Sequence, residues 1–532
     1  MNRYFNLILV GILFSLIFTA CSEKQEIDDS KIFRLNRYDN INSLDPAFAR
    51  LQSNTWVCNL MYNSLVKLND SLQIVPDIAK SWEISEDGKI YSFTLRNDVY
   101  FHKNAVFGKD STRTVNAADF EYSFNRLIDP EVGGAGSWVL NNVNDFKALN
   151  DSVFQIQLKE PFPPFLGLLS MKYCSVVPKE IFQNGQEQFR KKPIGTGPFQ
   201  YQLWEDNIKL VLRKNPLYFE KDEKGNSLPY LEAVSMTFLP EKHSEFLQLI
   251  QGNVDMMADL DPSYKNEILT PLGELNPKYQ DILDLHKYDY LSTVYLCFYL
   301  DDANPVDERL RQAINYGIDK PKMVKYMMNG VATAAKGGFI PKGLPGFNEN
   351  AGYTYQPQKA RELIKEFQKE NGSLPVIQLT TVQEYADICE YIQAQLAKVG
   401  LNIEINVVPG PTMRDGKATG KFSFFRANWG ADYPDAENFL SLYYSKNFAP
   451  EGPNYSHYKN DEFDQLYLNS FKISSEKERE KIYRKMDSLM MKSAPIVPLF
   501  YDQTSIFLRK NVKGFSMSPV KLLDLTRVYK TK

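Results

Sequence analysis

The sequence is poor in the residues that most often carry chemistry. Of its 532 residues only four are histidine and five are cysteine. His102, His243, His286 and His457 lie far apart, and none sits in a His-Glu-x-x-His pair, so a zincin site is excluded. There is no Cys-x-x-Cys, which removes zinc ribbons and thioredoxin-like motifs. No Gly-x-Ser-x-Gly elbow marks a hydrolase. Gly195-Thr196-Gly197 lacks the P-loop spacing and runs into Pro198-Phe199, so it reads as a tight turn entering a strand. Gly416-Lys417 and Gly420-Lys421 fail the same spacing, because Pro411 and Asp415 stand where glycine is needed. An excess of either charge is also missing: 62 Lys and Arg face 65 Asp and Glu, evenly mixed, for a net charge of −3. That balance lacks the basic footprint of a nucleic-acid binder. The chain is expected to be no enzyme and to hold no metal or cofactor.

What is present is a large stock of core-forming side chains. Apolar residues make up 43% of the chain, so a disordered state is excluded. The length exceeds what one core supports, and two or three domains are expected. The 34 Phe, 31 Tyr and 5 Trp suit both cores and binding clefts.

The first twenty residues read as an address. Arg3 is followed by an apolar run from Leu7 to Phe18, broken only by Gly11 and Ser15 and too short to span a bilayer comfortably. Thr19 and Ala20 precede Cys21. This resembles a bacterial lipoprotein signal, with Phe18 in place of the usual leucine; the resemblance implies cleavage before Cys21 and lipidation of that residue. A plain secretory signal with an incidental Cys21 is the other reading. No later apolar run reaches the ~18 residues of a membrane span. Cys58, Cys174, Cys297 and Cys389 sit in apolar settings, and either one or two disulfides or four buried thiols fit them.

Helical and strand patterns mix along the chain, which indicates an α/β or α+β class. Strands are expected over Ile90–Leu95, Phe154–Leu158, Ile208–Leu212, Val234–Phe238 and Leu401–Val407. Helices are expected over Ala117–Leu127, Arg309–Tyr316, Pro357–Lys369, Asp387–Val399 (ended by Gly400) and Glu476–Lys492. Pro495 and Pro498 are then expected to precede an apolar strand, Leu499–Leu508.

Several segments combine into a family pattern: Ser43-Leu44-Asp45-Pro46-Ala47, Ile74 to Ala79, Ser81-Trp82-Glu83-Ile84, Tyr91 to Arg96, Ala117 to Ser123, Gly195 to Phe199, Gly252-Asn253-Val254-Asp255, Arg309 to Asp319, and Trp429 to Pro434. In this order the chain resembles the family 5 extracellular solute-binding proteins of ABC importers, which include oligopeptide- and dipeptide-binding proteins. The resemblance covers essentially the whole mature chain. It implies a two-lobed periplasmic-binding-protein-like clamp (type II, cluster C) with an extra domain inserted in the N-terminal lobe. The implied layout is a signal over 1–20, a tether over 21–30, and one lobe from 31–62, 190–285 and 500–532. The extra domain would be 63–189 and the second lobe 286–499. The implied partners are a peptide, a membrane permease with its ATPases, and a membrane reached through the lipid. Nucleic acid is not among them. The chain would be a monomer in the cell envelope, facing the periplasm or the exterior.

A free peptide is a zwitterion, and a buried carboxylate suits its ammonium. The resemblance assigns that role to the Asp of Trp-x-x-Asp, here Trp429 and Asp432; as bare sequence, Asp-Tyr-Pro is also ordinary turn material. It offers Arg426, three residues before Trp429, for the peptide carboxylate, a fork suited to that group. A structural ion pair is the alternative. Phe424 and Phe425 are cleft wall or core. The stretch Ala47–Gln52, with Ala49, Arg50 and Leu51 at its centre, aligns with one that pairs its backbone with the ligand. Ser137 and Trp138 stand for the cleft rim or for packing. Relatives with the same fold take nickel chelates, haem, glutathione or oligosaccharides, and a peptide-sensing receptor would use the same clamp.

Overall fold

Two long antiparallel strands, Leu283–Phe298 and Ile496–Arg509, run side by side through the middle of the protein. The computed structural model describes residues 28–184, 186–260, 264–329 and 331–532; the expected leader, Cys21 and most of the expected tether lie outside them. Residues 283–289 of the first strand pair with 503–509 of the second, and residues 293–297 pair with 496–501. Between the two runs the register shifts, so that Tyr290, Leu291 and Ser292 stand opposite Asp502 alone. Such a bulge bends the strand and marks a change of direction.

On one side the sheet continues through Met256–Ala258, Ile32–Asn36, Ala233–Thr237, Lys209–Lys214 and Phe199–Glu205. On the other it continues through Phe424–Gly430, Ile377–Thr381 and Ile403–Val407. The fold is therefore mixed α/β and two-lobed. One hydrophobic core spans residues from Phe33 to Met256 with the C-terminal stretch Ile506–Val528. Separate cores lie on the two faces of the second sheet half, one containing Leu296, Phe298 and Phe424, the other Tyr295, Phe425 and Phe439.

A smaller four-stranded sheet, ordered 79–84, 90–95, 153–158 and 143–150, is packed by helix Ala117–Ile128. Asn116 and Asp119 close a capping box at the start of that helix. Its buried stripe, Phe120, Phe124 and Leu127, meets Phe154, with the Phe124 and Phe154 ring centroids 5.4 Å apart. Arg126 on the same helix forks both carboxylate oxygens of Asp45. Both side chains are buried, and Asp45 also accepts the Ala47 N–H at 3.0 Å. The pair thus ties the small sheet to the turn at Pro46–Phe48.

The expected elements appear, with shifts of one or two residues at most ends. Helix Glu476–Lys492 has the expected bounds. Gly400 has φ of +89°, the left-handed conformation in which glycine follows a helix. One expectation is corrected. The last long strand begins at Ile496 and includes Pro498. Pro498 faces Tyr295 where the register slips, a place that tolerates its missing N–H. The Gly195-Thr196-Gly197 turn does lead into strand Phe199–Glu205. A Cβ on Gly195 would lie 1.9 Å from the Met61 carbonyl oxygen, so the turn presses its bare backbone on the end of helix Gln52–Met61. All four cysteines of the described residues are buried and unpaired, and burial pushes the Cys174 thiol up to about 12.

Asp487 is fully buried and accepts the Phe339 N–H at 2.8 Å. Burial raises its pKa to about 7. The folded state therefore holds a proton that the unfolded chain releases near pH 4, and stability should fall as pH rises from about 4 to about 7. Asp487→Asn is expected to flatten this fall in denaturant titrations at pH 5, 6, 7 and 8. An unchanged slope would contradict the assignment.

Candidate functional site

Strand Phe424–Gly430 is bonded along its whole length on one edge, to residues 292–298. On its other edge, among the described residues, only Phe425 pairs, with Thr380. Ala427 to Gly430 thus present an open strand edge, which can add an extended chain by main-chain hydrogen bonds. The chain then turns through Ala431 and Asp432. The Ala431 N–H donates to the Leu291 carbonyl at 2.7 Å, so the turn is pinned to the bulge of the central strand.

Short helix Glu437–Leu440 returns to the turn and carries Asn438. The Asn438 Oδ1 accepts from the Trp429 indole N–H at 3.1 Å and from the Asp432 backbone N–H at 3.1 Å. Its Nδ2 lies 3.5 Å from the Asp432 Oδ2. One buried amide therefore orients both residues of the Trp-x-x-Asp pair. Asp432 is open to solvent, yet the surrounding protein desolvates it enough to raise its pKa against the opposing Asn438 hydrogen bond. No cation pairs with it among the described residues. An uncompensated carboxylate in such a place favours a cationic group that arrives from outside.

Arg426 stands on the same strand, but strand alternation places it with Phe424 and Asn428, on the face opposite Trp429. Its guanidinium lies over the Tyr385 ring, 3.4 Å from the centroid, and reaches Asn428 Oδ1 at 3.4 Å. Burial is the main cause lowering its pKa. It forms no salt bridge within the described residues. Phe424 and Phe425 are both core: the first stacks on Phe298 at 4.2 Å, and the second packs on the opposite face.

The facing wall comes from the first lobe. Ala49 is buried, whereas Arg50, Leu51 and Trp138 are exposed. The Ala47–Gln52 stretch is a 3-10 turn followed by the start of helix Gln52–Met61, so it is not the extended strand that strand addition would require. The Ala49 N–H bonds to the Pro46 carbonyl at 3.1 Å, and its carbonyl accepts the Thr55 hydroxyl at 2.9 Å. The Arg50 N–H is likewise taken, by Phe48 at 2.7 Å. The open edge at 427–430 offers main chain in its place. Tyr173 links the walls, since both the Asp432 and Arg50 charges act on its hydroxyl. Gly136 lets Tyr173 in: a Cβ there would lie 2.2 Å from the ring.

At the back of the cleft lies the strand bulge. The Tyr290 hydroxyl comes so close to Gly430 that a Cβ there would be 2.4 Å away. Burial, with the charges of Asp502, Asp259 and Asp432, raises the Tyr290 pKa to about 12. The lobes also touch beyond Asp432. Phe162 and Phe471 meet with centroids 5.4 Å apart, and Tyr433 packs by Gly167. A cavity of about 590 Å3 beside this contact is lined by Leu72, Pro164, Leu344, Tyr433 and Arg479. The sequence singled out Trp429, Asp432 and Arg426, and the structure sets Arg426 on the opposite face of the strand from Trp429. Four residues of the site were missed: Asn438 lies only six residues past Asp432, whereas Tyr173, Tyr290 and Asp502 carry no local signal, because distant chain segments bring them here.

The chain matches the family described as bacterial extracellular solute-binding proteins, family 5, over residues 73–450. It is 27% identical over 483 residues to the dipeptide-binding protein of Escherichia coli K12, covering 86% of this chain and 87% of that one. It is 28% identical over 485 residues to haem-binding protein A of Haemophilus influenzae, covering 86% and 85%. Among solved structures it resembles the periplasmic binding protein DppA of Helicobacter pylori in complex with the peptide STSA. That similarity has a TM-score of 0.75 and 27% identity, and covers 94% of this chain and 98% of the other. An open-edged strand ending in an oriented, unpaired carboxylate between two lobes, on a chain matched by this family over most of its length, shows that the protein belongs to the family 5 bacterial extracellular solute-binding proteins.

Proposed function

We propose that this protein captures short peptides between its two lobes and delivers them to a membrane permease driven by separate ATPase subunits. The observation that carries the reading is Asp432, an oriented carboxylate with no cation of its own among the described residues. A peptide α-ammonium would supply the missing charge. The open edge at Ala427–Gly430 would hold the peptide main chain without reading its side chains, as broad specificity requires. Arg426, or Arg50 on the opposite wall, would receive the carboxylate. The relatives named for peptides support this ligand class. A haem, a sugar or a nickel chelate would leave Asp432 without its partner.

The lobes would be residues 31–62, 190–285 and 500–532 on one side and 286–499 on the other, with 63–189 added to the first. Closure by hinge bending would bury the peptide, and the protein would return it chemically intact. The mature chain would be a monomer held to the cell envelope by lipid on Cys21.

Calorimetry on residues 22–532, refolded to strip bound solute, tests the reading with a pool of tripeptides to pentapeptides. N-acetylation of the pool, or Asp432→Asn, is expected to weaken binding by about 2–5 kcal/mol, as for loss of one partner of a buried charge pair. Equal affinity for free and acetylated peptides would overturn the role of Asp432. Absence of binding to both would move the ligand to another solute class. Asn438→Ala is expected to weaken binding by about 1–2 kcal/mol, because Trp429 and Asp432 lose their shared acceptor. Unchanged affinity in this variant would show that Asp432 needs no such support.

A further inference from the structure

The strand bulge behind the Asp432 turn carries a second carboxylate, one that the zwitterion does not use. Asp502 lies on strand Ile496–Arg509 at the bulge, alone opposite Tyr290, Leu291 and Ser292. The same bulge anchors the Asp432 turn through the bond from Ala431 to Leu291. Asp502 and Asp432 therefore flank one short piece of backbone, and both charges act on the Tyr290 hydroxyl. The neighbours of Asp502 in sequence point elsewhere. The Tyr501 hydroxyl donates to the Gly338 carbonyl at 2.9 Å, and Gln503 bonds to Asp289 at 2.9 Å. By strand alternation the Asp502 side chain faces away from both.

The lysine whose charge acts on Asp502 is already committed to another carboxylate. The Lys521 ammonium bonds to Asp259 at 3.2 Å and lies 4.3 Å from the Tyr290 ring centroid. Arg426 lies on Tyr385. Asp502 itself accepts only the N–H of the next residue, Gln503, at 3.0 Å, and makes no salt bridge among the described residues. The attraction of Lys521 and Arg426 does not offset its burial, since its pKa remains raised. A half-buried carboxylate with one oxygen that accepts no hydrogen bond among the described residues, beside a lysine already bonded to Asp259, is a place for a cation brought by the ligand.

Resting on the peptide reading above, we propose that Asp502 sets side-chain specificity: it receives the ammonium or guanidinium of a lysine or arginine near the amino end of the bound peptide. Asp432 takes the α-ammonium that every peptide has, and Asp502 takes the additional charge that only basic peptides have. The cleft thus accepts many peptides and prefers cationic ones.

Calorimetry with Lys-Ala-Ala, Ala-Lys-Ala and their norleucine counterparts tests this, because norleucine keeps the alkyl chain and removes the charge. In the native sequence, lysine at one of the two positions is expected to bind about tenfold more tightly than norleucine, as a part-buried charge-assisted hydrogen bond allows. Asp502→Asn, with folding checked by thermal melting, is expected to erase the preference and leave the norleucine peptides within about twofold of their native affinity. Equal binding of lysine and norleucine at both positions would overturn the assignment while leaving the peptide reading intact. So would a preference that survives Asp502→Asn. Failure of all four peptides to bind would overturn the peptide reading, and this assignment with it.

Discussion

The structure depends on the antiparallel pairing of Leu283–Phe298 with Ile496–Arg509. The other strands of the large sheet are stacked outward from this pair. The pairing is interrupted once, at residues 290–292 and 502. A continuous ladder would make one stiff sheet; the interruption divides it. The same interruption places Tyr290, the Ala431 anchor and Asp502 at the back of the cleft. The feature that separates the lobes thus also assembles the site between them.

Charge follows from this arrangement. Asp45 and Arg126, buried against each other, spend their charges on holding the Pro46–Phe48 turn. Asp259 and Lys521 do the same behind Tyr290. Asp432 and Asp502 have no such partner among the described residues and retain raised pKa values. The contrast between satisfied and unsatisfied carboxylates in one region separates structural charge from charge available to a ligand. Arg426 shows the intermediate case: a cation on an aromatic face, with no carboxylate partner among the described residues.

Helices with a clear apolar stripe were legible in the sequence. Glu476–Lys492 and Ala117–Ile128 repeat apolar residues at helical spacing and carry visible caps or breakers. Trp429 and Asp432 were legible through family resemblance, since Asp-Tyr-Pro alone reads as a turn. The strand Leu283–Phe298 was not, because its pattern changes midway: residues 283–290 are mostly half-buried, whereas 291–298 are buried throughout and show no alternation. Ala49, Arg50 and Leu51 were legible as a place and not as a conformation, because the bonds that curl them run to Pro46, Phe48 and Thr55. Asn438 and Asp502 had no signal, since a lone polar residue acquires meaning only from what the fold sets beside it.

The central claim is that Asp432 meets a peptide ammonium at the end of an open strand edge. A crystal structure of the protein with a bound tripeptide tests it most directly. The account predicts the α-ammonium nitrogen within about 3 Å of an Asp432 oxygen, as for a charge-assisted hydrogen bond, and the peptide main chain bonded along Ala427–Gly430. A peptide lodged elsewhere, or one whose ammonium faces solvent with Asp432 still unpaired, would contradict it.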